Sequence, residues 1–289
     1  MAFSTPSIKR KNRWVDLHLH THHSDGTFSP EDLVRRARAR GLTAISVTDH
    51  DTFAGIAAAR KAAGSEPEVL SGVEVTATFQ ERELHILGYG FQESASDFSA
   101  YLAGARARRH GRMKAMLGRL REHGISVTFE EVQAAAGGEA VIGRPHLAEV
   151  LVQKKAVKSL REAFQRYLGD NASCFVRQEA LSVSEAAQLI RRHGGVAVLA
   201  HPHRMVVDAW IPELVQQGIE GIEVYHSDHA RDVIAHYEKM ADRLGLLKAG
   251  GSDCHGLRKA GGPLIGTVPV PYAIFERLKE TIAKRKSRR

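Results

Sequence analysis

Residues Asp16 to Asp25 read D-L-H-L-H-T-H-H-S-D. Val15 to His20 alternates with the strand period, which puts His18 and His20 on one face and Leu17 and Leu19 on the other. Two imidazoles side by side at the C-terminal end of a strand make a ligand pair for a transition metal. Asp25 follows in the next loop, inside the turn signal Ser24-Asp25-Gly26. A tag-like run would be contiguous, whereas these histidines alternate with leucines. The same residue types return along the chain as His50, Glu74, His85, His201, Asp253 and His255. A lone buried histidine is usually a core residue with satisfied hydrogen bonds. Nine N/O ligands at successive strand ends read differently, because burying unpaired polar groups is costly. They are too many for one ion and suit two or three when one carboxylate bridges. Mixed histidine and carboxylate donors without thiolate fit Mn²⁺, Fe²⁺ or Zn²⁺, with Mn²⁺ the first expectation, and disfavour Ca²⁺. Ions so grouped acidify a bridging water and clamp a phosphoryl oxygen. The expected chemistry is hydrolysis of an anionic ester by metal-bound hydroxide, with no protein nucleophile.

The elements that must position these groups alternate between strand and helix. Ser29-Pro30-Glu31-Asp32 starts a helix, with Ser29 as N-cap and Pro30 in the first turn, and Gly41 stops it. Strands are expected at Ala44–Thr48, Val69–Val75 and Glu83–Gly90, the last carrying His85 near its start. From Asp97 to His123 the pattern is one long basic helix, apolar along Phe98, Leu102, Met113, Met116, Leu117 and Leu120. Shorter helices are expected at 128–136, 144–152 and 159–168. Alternation then resumes with a strand at 196–200 that delivers His201. Further strands are expected at 219–225, 246–250 and 265–268, and a helix at 272–284. Repeated β-strand/α-helix units argue for an α/β barrel with its site at the C-terminal strand ends. The expected division is a basic N-terminal tail at 1–12, a barrel from 13–90 and 176–289, and a helical insertion at 91–175.

The chain has 289 residues, enough for one large α/β domain with an insertion. No apolar run approaches the ~20 residues that span a bilayer, and Met1 to Arg13 lacks the apolar stretch of a signal peptide. A cytoplasmic location is therefore expected, with no membrane association and no obligate protein partner. The two cysteines, Cys174 and Cys254, exclude a disulfide framework and a Cys-rich zinc module and are expected as free thiols. The net charge of +8 suits an anionic substrate, although the two chain ends hold much of the excess.

The motifs D-L-H-L-H-T-H-H-S-D-G, V-T-D-H-D-T, G-V-E-V, H-I-L-G, A-H-P-H-R and G-S-D-C-H together resemble the PHP (polymerase and histidinol phosphatase) superfamily. The likeness is closest to its stand-alone bacterial nucleotide phosphatases and 5′-to-3′ exoribonucleases. It implies a distorted seven-stranded (β/α) barrel with a trinuclear site and a lid formed by the insertion. By the resemblance, His18, His20, Glu74 and Asp253 hold the first metal. Glu74 bridges to the second, completed by His85 and His201, and Asp25, His50 and His255 hold the third. Arg144 and His146 in Gly143-Arg144-Pro145-His146, and Arg204, resemble contacts to a substrate phosphate, a role that suits a planar guanidinium. Cys254 stands where relatives often carry an aromatic, and His203 where they carry a small residue. His22, His23, His226 and His229 add imidazoles beside the site. The implied substrate is a nucleoside 3′,5′-bisphosphate or short 5′-phosphorylated RNA. A histidinol-phosphatase-like small phosphomonoesterase is the alternative within the class. A non-catalytic nucleic-acid-binding module is the alternative outside it, disfavoured because all nine positions are filled.

Overall fold

The computed structural model describes residues 13–138, 140–205, 208–258 and 262–287. The N-terminal tail expected at 1–12 and the last two arginines lie outside the described residues.

The strands are β1 (Trp14–Leu19), β2 (Leu42–Val47), β3 (Glu68–Phe79), β4 (Arg82–Tyr89), β5 (Leu181–Ser182), β6 (Val196–Leu199), β7 (Gly221–His226), β8 (Leu247–Gly251) and β9 (Val270–Pro271). They form one sheet in the order β8-β7-β6-β4-β3-β2-β1-β9, with β5 beside β3. Pairing is parallel for β1–β2, β2–β3, β6–β7 and β7–β8. Strand β4 runs antiparallel to both β3 and β6. The sheet curls until its first and last long strands meet. The Asp253 N–H donates to the His18 carbonyl at 2.9 Å, and the His20 N–H donates to the Cys254 carbonyl at 3.1 Å. The result is a nearly closed barrel of seven main strands, β1 to β4 and β6 to β8.

Two sequence expectations need correction. The strand expected at 69–75 runs on to Phe79 and turns directly into β4. The turn residues Gln80 and Glu81 both have positive φ, 44° and 64°, as a tight hairpin requires. The strand expected at 265–268 is a turn. The pairing with β1 comes instead from Val270 and Pro271 on the sheet edge, where proline is tolerated.

Helices cover the barrel through their apolar faces. In Pro30–Ala39 that face is Leu33, Val34 and Ala37, and the Ser29 side chain accepts from the Asp32 N–H as expected. In Val183–Arg192 it is Val183, Ala186, Ala187 and Ile190, and Ser182 with Glu185 forms a capping box. The C-terminal helix Tyr272–Lys286 buries Phe275, Leu278 and Ile282 against Val15, Leu17 and Leu87. The 27-residue helix Ser96–Glu122 is about 40 Å long. Its Phe98 and Leu102 belong to the barrel's core. Its Met113, Met116, Leu117 and Leu120 belong to a separate apolar cluster that extends to Cys174. Both cysteines are free and buried. No helix among the described residues is long and apolar enough to cross a membrane.

Candidate metal centre

Strand β1 places His18 on the pleat face shared with Asp16, His20 continues that alternation just past its end, and all three side chains are fully buried. Asp16 accepts from the Ser252 and Gly266 N–H groups, which anchors β1 to the loop after β8. Burial pushes its carboxyl up to about 6. That approach requires Gly251: a Cβ there would lie 2.3 Å from the His18 nitrogen. Beyond β1, the loop carrying Asp25 is tied down by buried Asp49. This carboxylate accepts from the Thr21 N–H at 2.7 Å, the Thr21 hydroxyl at 2.6 Å and the Ser24 hydroxyl at 2.6 Å. On the other side of His50, Asp51 accepts from the Thr76 N–H and hydroxyl and from Arg109. The two aspartates of Asp49-His50-Asp51 thus brace the loops that present Asp25 and His50.

Glu74 is the hub. Its Oε2 lies 3.2 Å from His18 Nε2, 3.2 Å from His20 Nε2 and 3.3 Å from His50 Nδ1. Its Oε1 lies 2.9 Å from both His85 Nδ1 and His201 Nε2. His85 reaches this point because β4 is antiparallel, so the start of β4 lies at the mouth where its neighbours end. Asp253 Oδ1 lies 3.2 Å from His20 Nε2 and 3.5 Å from His18 Nε2. His255 Nε2 lies 3.3 Å from Asp25 Oδ1, and His50 Nε2 lies 3.8 Å from Asp25 Oδ2. Three groups could each hold a cation: His18, His20, Glu74 and Asp253; His20, Asp25, His50 and His255; and His50, Glu74 and His85. All nine side chains expected from the sequence therefore converge on one pocket. His201 meets the set through Glu74 and His85, and His50 stands between two groups.

The electrostatics call for cations. Asp25, Glu74, Glu223 and Asp253 are buried carboxylates in one place, an arrangement that is unstable unless positive charge lies between them. Burial opposes protonation of His20, but Asp253, Glu74 and Asp25 outweigh it and hold the ring at about 10. Glu74 and Glu83 likewise overcome burial at His85 and hold it at about 9. Burial prevails at His50 and His201, pushed down to about 3 and about 4. Burial also opposes ionisation of Glu74, yet His50, His85 and His18 hold it well below the usual carboxylate range. Both ring nitrogens of His20, His50 Nδ1 and Asp25 Oδ1 are buried without a hydrogen-bond partner among the described residues. Buried imidazole and carboxylate groups left without hydrogen-bond partners around one space fit a cluster of divalent cations, which would displace the ring protons. His201 and Asp253 adopt left-handed backbone, φ 26° and 51°, which is costly for non-glycine residues and clusters at functional sites.

The pocket opens into a cavity of about 1220 Å³ between the barrel mouth and the helical segment. Six arginines line it: Arg82, Arg109, Arg112, Arg144, Arg161 and Arg204. Arg204 donates to Asp253 Oδ2 at 2.9 Å and to Asp228 at 2.8 Å. Arg144 donates to Asp170 at 2.7 Å and to Glu83 at 3.4 Å. His146 is 1% exposed and does not line the cavity; its Nδ1 accepts from the Gly143 N–H at 3.0 Å and closes the start of helix Arg144–Gln153. The helical segment touches the mouth directly. Buried Arg109 donates to Asp51 at 2.7 Å and to Thr76 at 2.9 Å, and the Val141 N–H donates to the His23 carbonyl at 2.9 Å.

Sequence reasoning did not single out Asp16, Asp49, Asp51, Glu83, Arg109, Arg112 or Glu223. The signal for Glu223 was available: a carboxylate in the middle of an otherwise apolar strand needs a buried partner. His226, noted only as an extra imidazole, is buried and lies 3.5 Å from Asp253. His22 is exposed, and the ring of His23 meets it edge-on with centroids 4.6 Å apart.

A curled sheet whose mouth gathers imidazoles and carboxylates around one glutamate defines a metal-binding α/β barrel. The PHP domain family matches residues 16–178, and the chain belongs to that family. A 5′-3′ exoribonuclease of Haemophilus influenzae is 34% identical over 246 residues, 83% of this chain and 89% of that protein. A 3′,5′-nucleoside bisphosphate phosphatase of Chromobacterium violaceum is 32% identical over 263 residues, 89% of this chain and 92% of that protein. Among solved structures, one from Bifidobacterium adolescentis described as a metal-dependent phosphoesterase superposes with a TM-score of 0.85 at 30% identity, over 93% of this chain and 96% of that one.

Proposed function

We propose that this chain is a divalent-metal-dependent phosphoesterase that hydrolyses phosphate esters of nucleotides, 3′,5′-bisphosphates or short 5′-phosphorylated RNA. The observation that carries the reading is Glu74, with five imidazoles within 3.3 Å of its two carboxylate oxygens. A buried carboxylate so surrounded suits bridging better than any structural ion pair. His18, His20, Glu74 and Asp253 would hold one ion, Glu74, His85 and His201 a second, and Asp25, His50 and His255 a third. Mn²⁺ is our choice for the donor set, ahead of Fe²⁺ and Zn²⁺. Divalent ions bound there supply Lewis acidity and an acidified water for attack on phosphorus.

The chain's own residues do the rest. Arg204 and Arg144 both line the cavity and would grip phosphate oxygens, exchanging present carboxylate partners for the substrate's anion. His146, buried beneath the start of its helix, would position Arg144 rather than touch phosphate. We take 13–90 and 176–289 as the barrel and 91–175 as a lid whose arginines and apolar wall close over the substrate and exclude water. The names of the two relatives, an exoribonuclease and a bisphosphate phosphatase, support one site that serves both a mononucleotide and an RNA end.

The test starts from chelator-stripped protein with and without Mn²⁺. It offers adenosine 3′,5′-bisphosphate, a 5′-phosphorylated oligoribonucleotide and histidinol phosphate. Turnover of either nucleotide substrate only with Mn²⁺, abolished by Asp253→Ala with unchanged circular dichroism, is expected. Activity that survives stripping overturns the reading. Preference for histidinol phosphate replaces it with the small-phosphomonoesterase alternative, and RNA bound but never cut in Mn²⁺ replaces it with a binding module.

A further inference from the structure

Strand β7 runs Gly221-Ile222-Glu223-Val224-Tyr225-His226, and the Glu223 side chain is fully inaccessible. A carboxylate in such a place is costly unless its oxygens are hydrogen-bonded. Here both are. Oε1 lies 3.0 Å from His18 Nδ1. Oε2 accepts from the His201 backbone N–H at 2.7 Å. The two partners come from different parts of the barrel, one in β1 and the other just beyond the end of β6, and they belong to different halves of the cluster. His18 faces Glu74 Oε2 with its other ring nitrogen, and His201 faces Glu74 Oε1.

The geometry points to Glu223 as a positioning residue for the metal centre, orienting His18 and His201 at once; the inference rests on the metal-site reading above. An ionised carboxylate only accepts hydrogen bonds. Against Glu223, His18 keeps a proton on Nδ1, which leaves Nε2 as the nitrogen that would give its lone pair to a bound cation. That nitrogen is the one 3.2 Å from Glu74 and 3.5 Å from Asp253. A wrong tautomer would present N–H to the place where a cation must sit. A carboxylate behind a ligating imidazole also raises the basicity of the ligand and fixes the ring plane. At His201 the task is different. Its backbone sits at φ 26°, a conformation that side-chain-bearing residues avoid. The hydrogen bond from its N–H to Glu223 holds the backbone there, and with it the ring. One side chain thereby sets the ligand geometry on both oxygens of Glu74 without touching either.

The experiment compares Glu223→Gln with the parent chain, each stripped and then titrated with Mn²⁺ by calorimetry. Glutamine keeps the size and can still accept one hydrogen bond, but it cannot accept from both groups and carries no charge. The expected result is Mn²⁺ affinity lower by about 10- to 100-fold, the range for losing such an outer partner. The metal-free proteins are expected to keep the same circular dichroism spectrum. Glu223→Asp, which keeps the charge on a shorter arm, is expected to recover part of the affinity. A second readout is imidazole nitrogen NMR of the Zn²⁺-loaded parent, which reports a protonated Nδ1 on His18. Equal Mn²⁺ affinity in Glu223→Gln and parent, or an unprotonated Nδ1 on His18, overturns the assignment of Glu223 alone. A parent chain that binds no Mn²⁺ overturns the metal-site reading together with it.

Discussion

Replacing Arg109 by methionine isolates the charge that ties the helical segment to the barrel mouth. Methionine keeps the apolar stem and removes the guanidinium. The side chain is buried, and it contacts Asp51 at 2.7 Å and the Thr76 hydroxyl at 2.9 Å. Burial opposes its charge, but Asp51 overcomes this and holds the guanidinium above its ordinary range. Removing one member of a buried ion pair costs about 3–5 kcal/mol, because the other charge stays behind unpaired. Asp51 would still accept from the Thr76 N–H at 3.0 Å and hydroxyl at 3.1 Å, which places the loss at the low end, about 3 kcal/mol. With a urea dependence of about 3 kcal/mol/M, the unfolding midpoint falls by about 1 M. The partner test is the double variant Asp51→Asn with Arg109→Met. Asparagine leaves no stranded charge, so the double variant loses less than the sum of the singles, by about 2 kcal/mol. The assay is urea unfolding followed by both circular dichroism and tryptophan fluorescence. A midpoint shift under about 0.3 M for Arg109→Met, or strict additivity of the pair, refutes the claim that a buried ion pair holds the two parts together.

Gly251→Ala forces a methyl to within 2.3 Å of the His18 nitrogen and 2.5 Å of its Cβ. Both contacts are rigid, so β8 must draw away from β1, and a melting temperature lower by about 5 °C or more is expected in a thermal scan. Phe164 lines the cavity beside Leu160 and Met116. If a nucleobase stacks on it, Phe164→Ala raises KM for adenosine 3′,5′-bisphosphate about 5- to 100-fold, since stacking contributes about 1–3 kcal/mol per base. An unchanged KM would remove Phe164 from the base site.

The convergent histidines and carboxylates of the candidate site were legible because they are short polar motifs inside strongly apolar strands. His18, His20, Glu74, His201 and Asp253 each interrupt or end a run whose pattern demands burial. The barrel followed from the same alternation, and its seven strands from the family resemblance. What stayed hidden depended on partners far away in the chain. Glu223 gains meaning only beside His18, 205 residues away, and Arg109 only beside Asp51. On the long helix, Arg109 reads as one more solvated cation among many. The β3–β4 hairpin was missed because Gln80-Glu81 fills a turn that usually announces itself with asparagine or glycine. Hence nothing in the pattern showed that His85, near the start of its strand, reaches the mouth because that strand runs the other way.

The barrel is stitched shut by the loop that follows β8, through Asp253 and Cys254 to the end of β1. That seam and the candidate metal centre are the same few residues. A cation gripped by Asp253, His18 and His20 would therefore rivet the two ends of the sheet as well. Occupancy at 100 times the dissociation constant would add about 2.7 kcal/mol to the folded state. In such a design the catalyst would also be the fastener, and an unloaded chain would be a looser object, not merely an idle one.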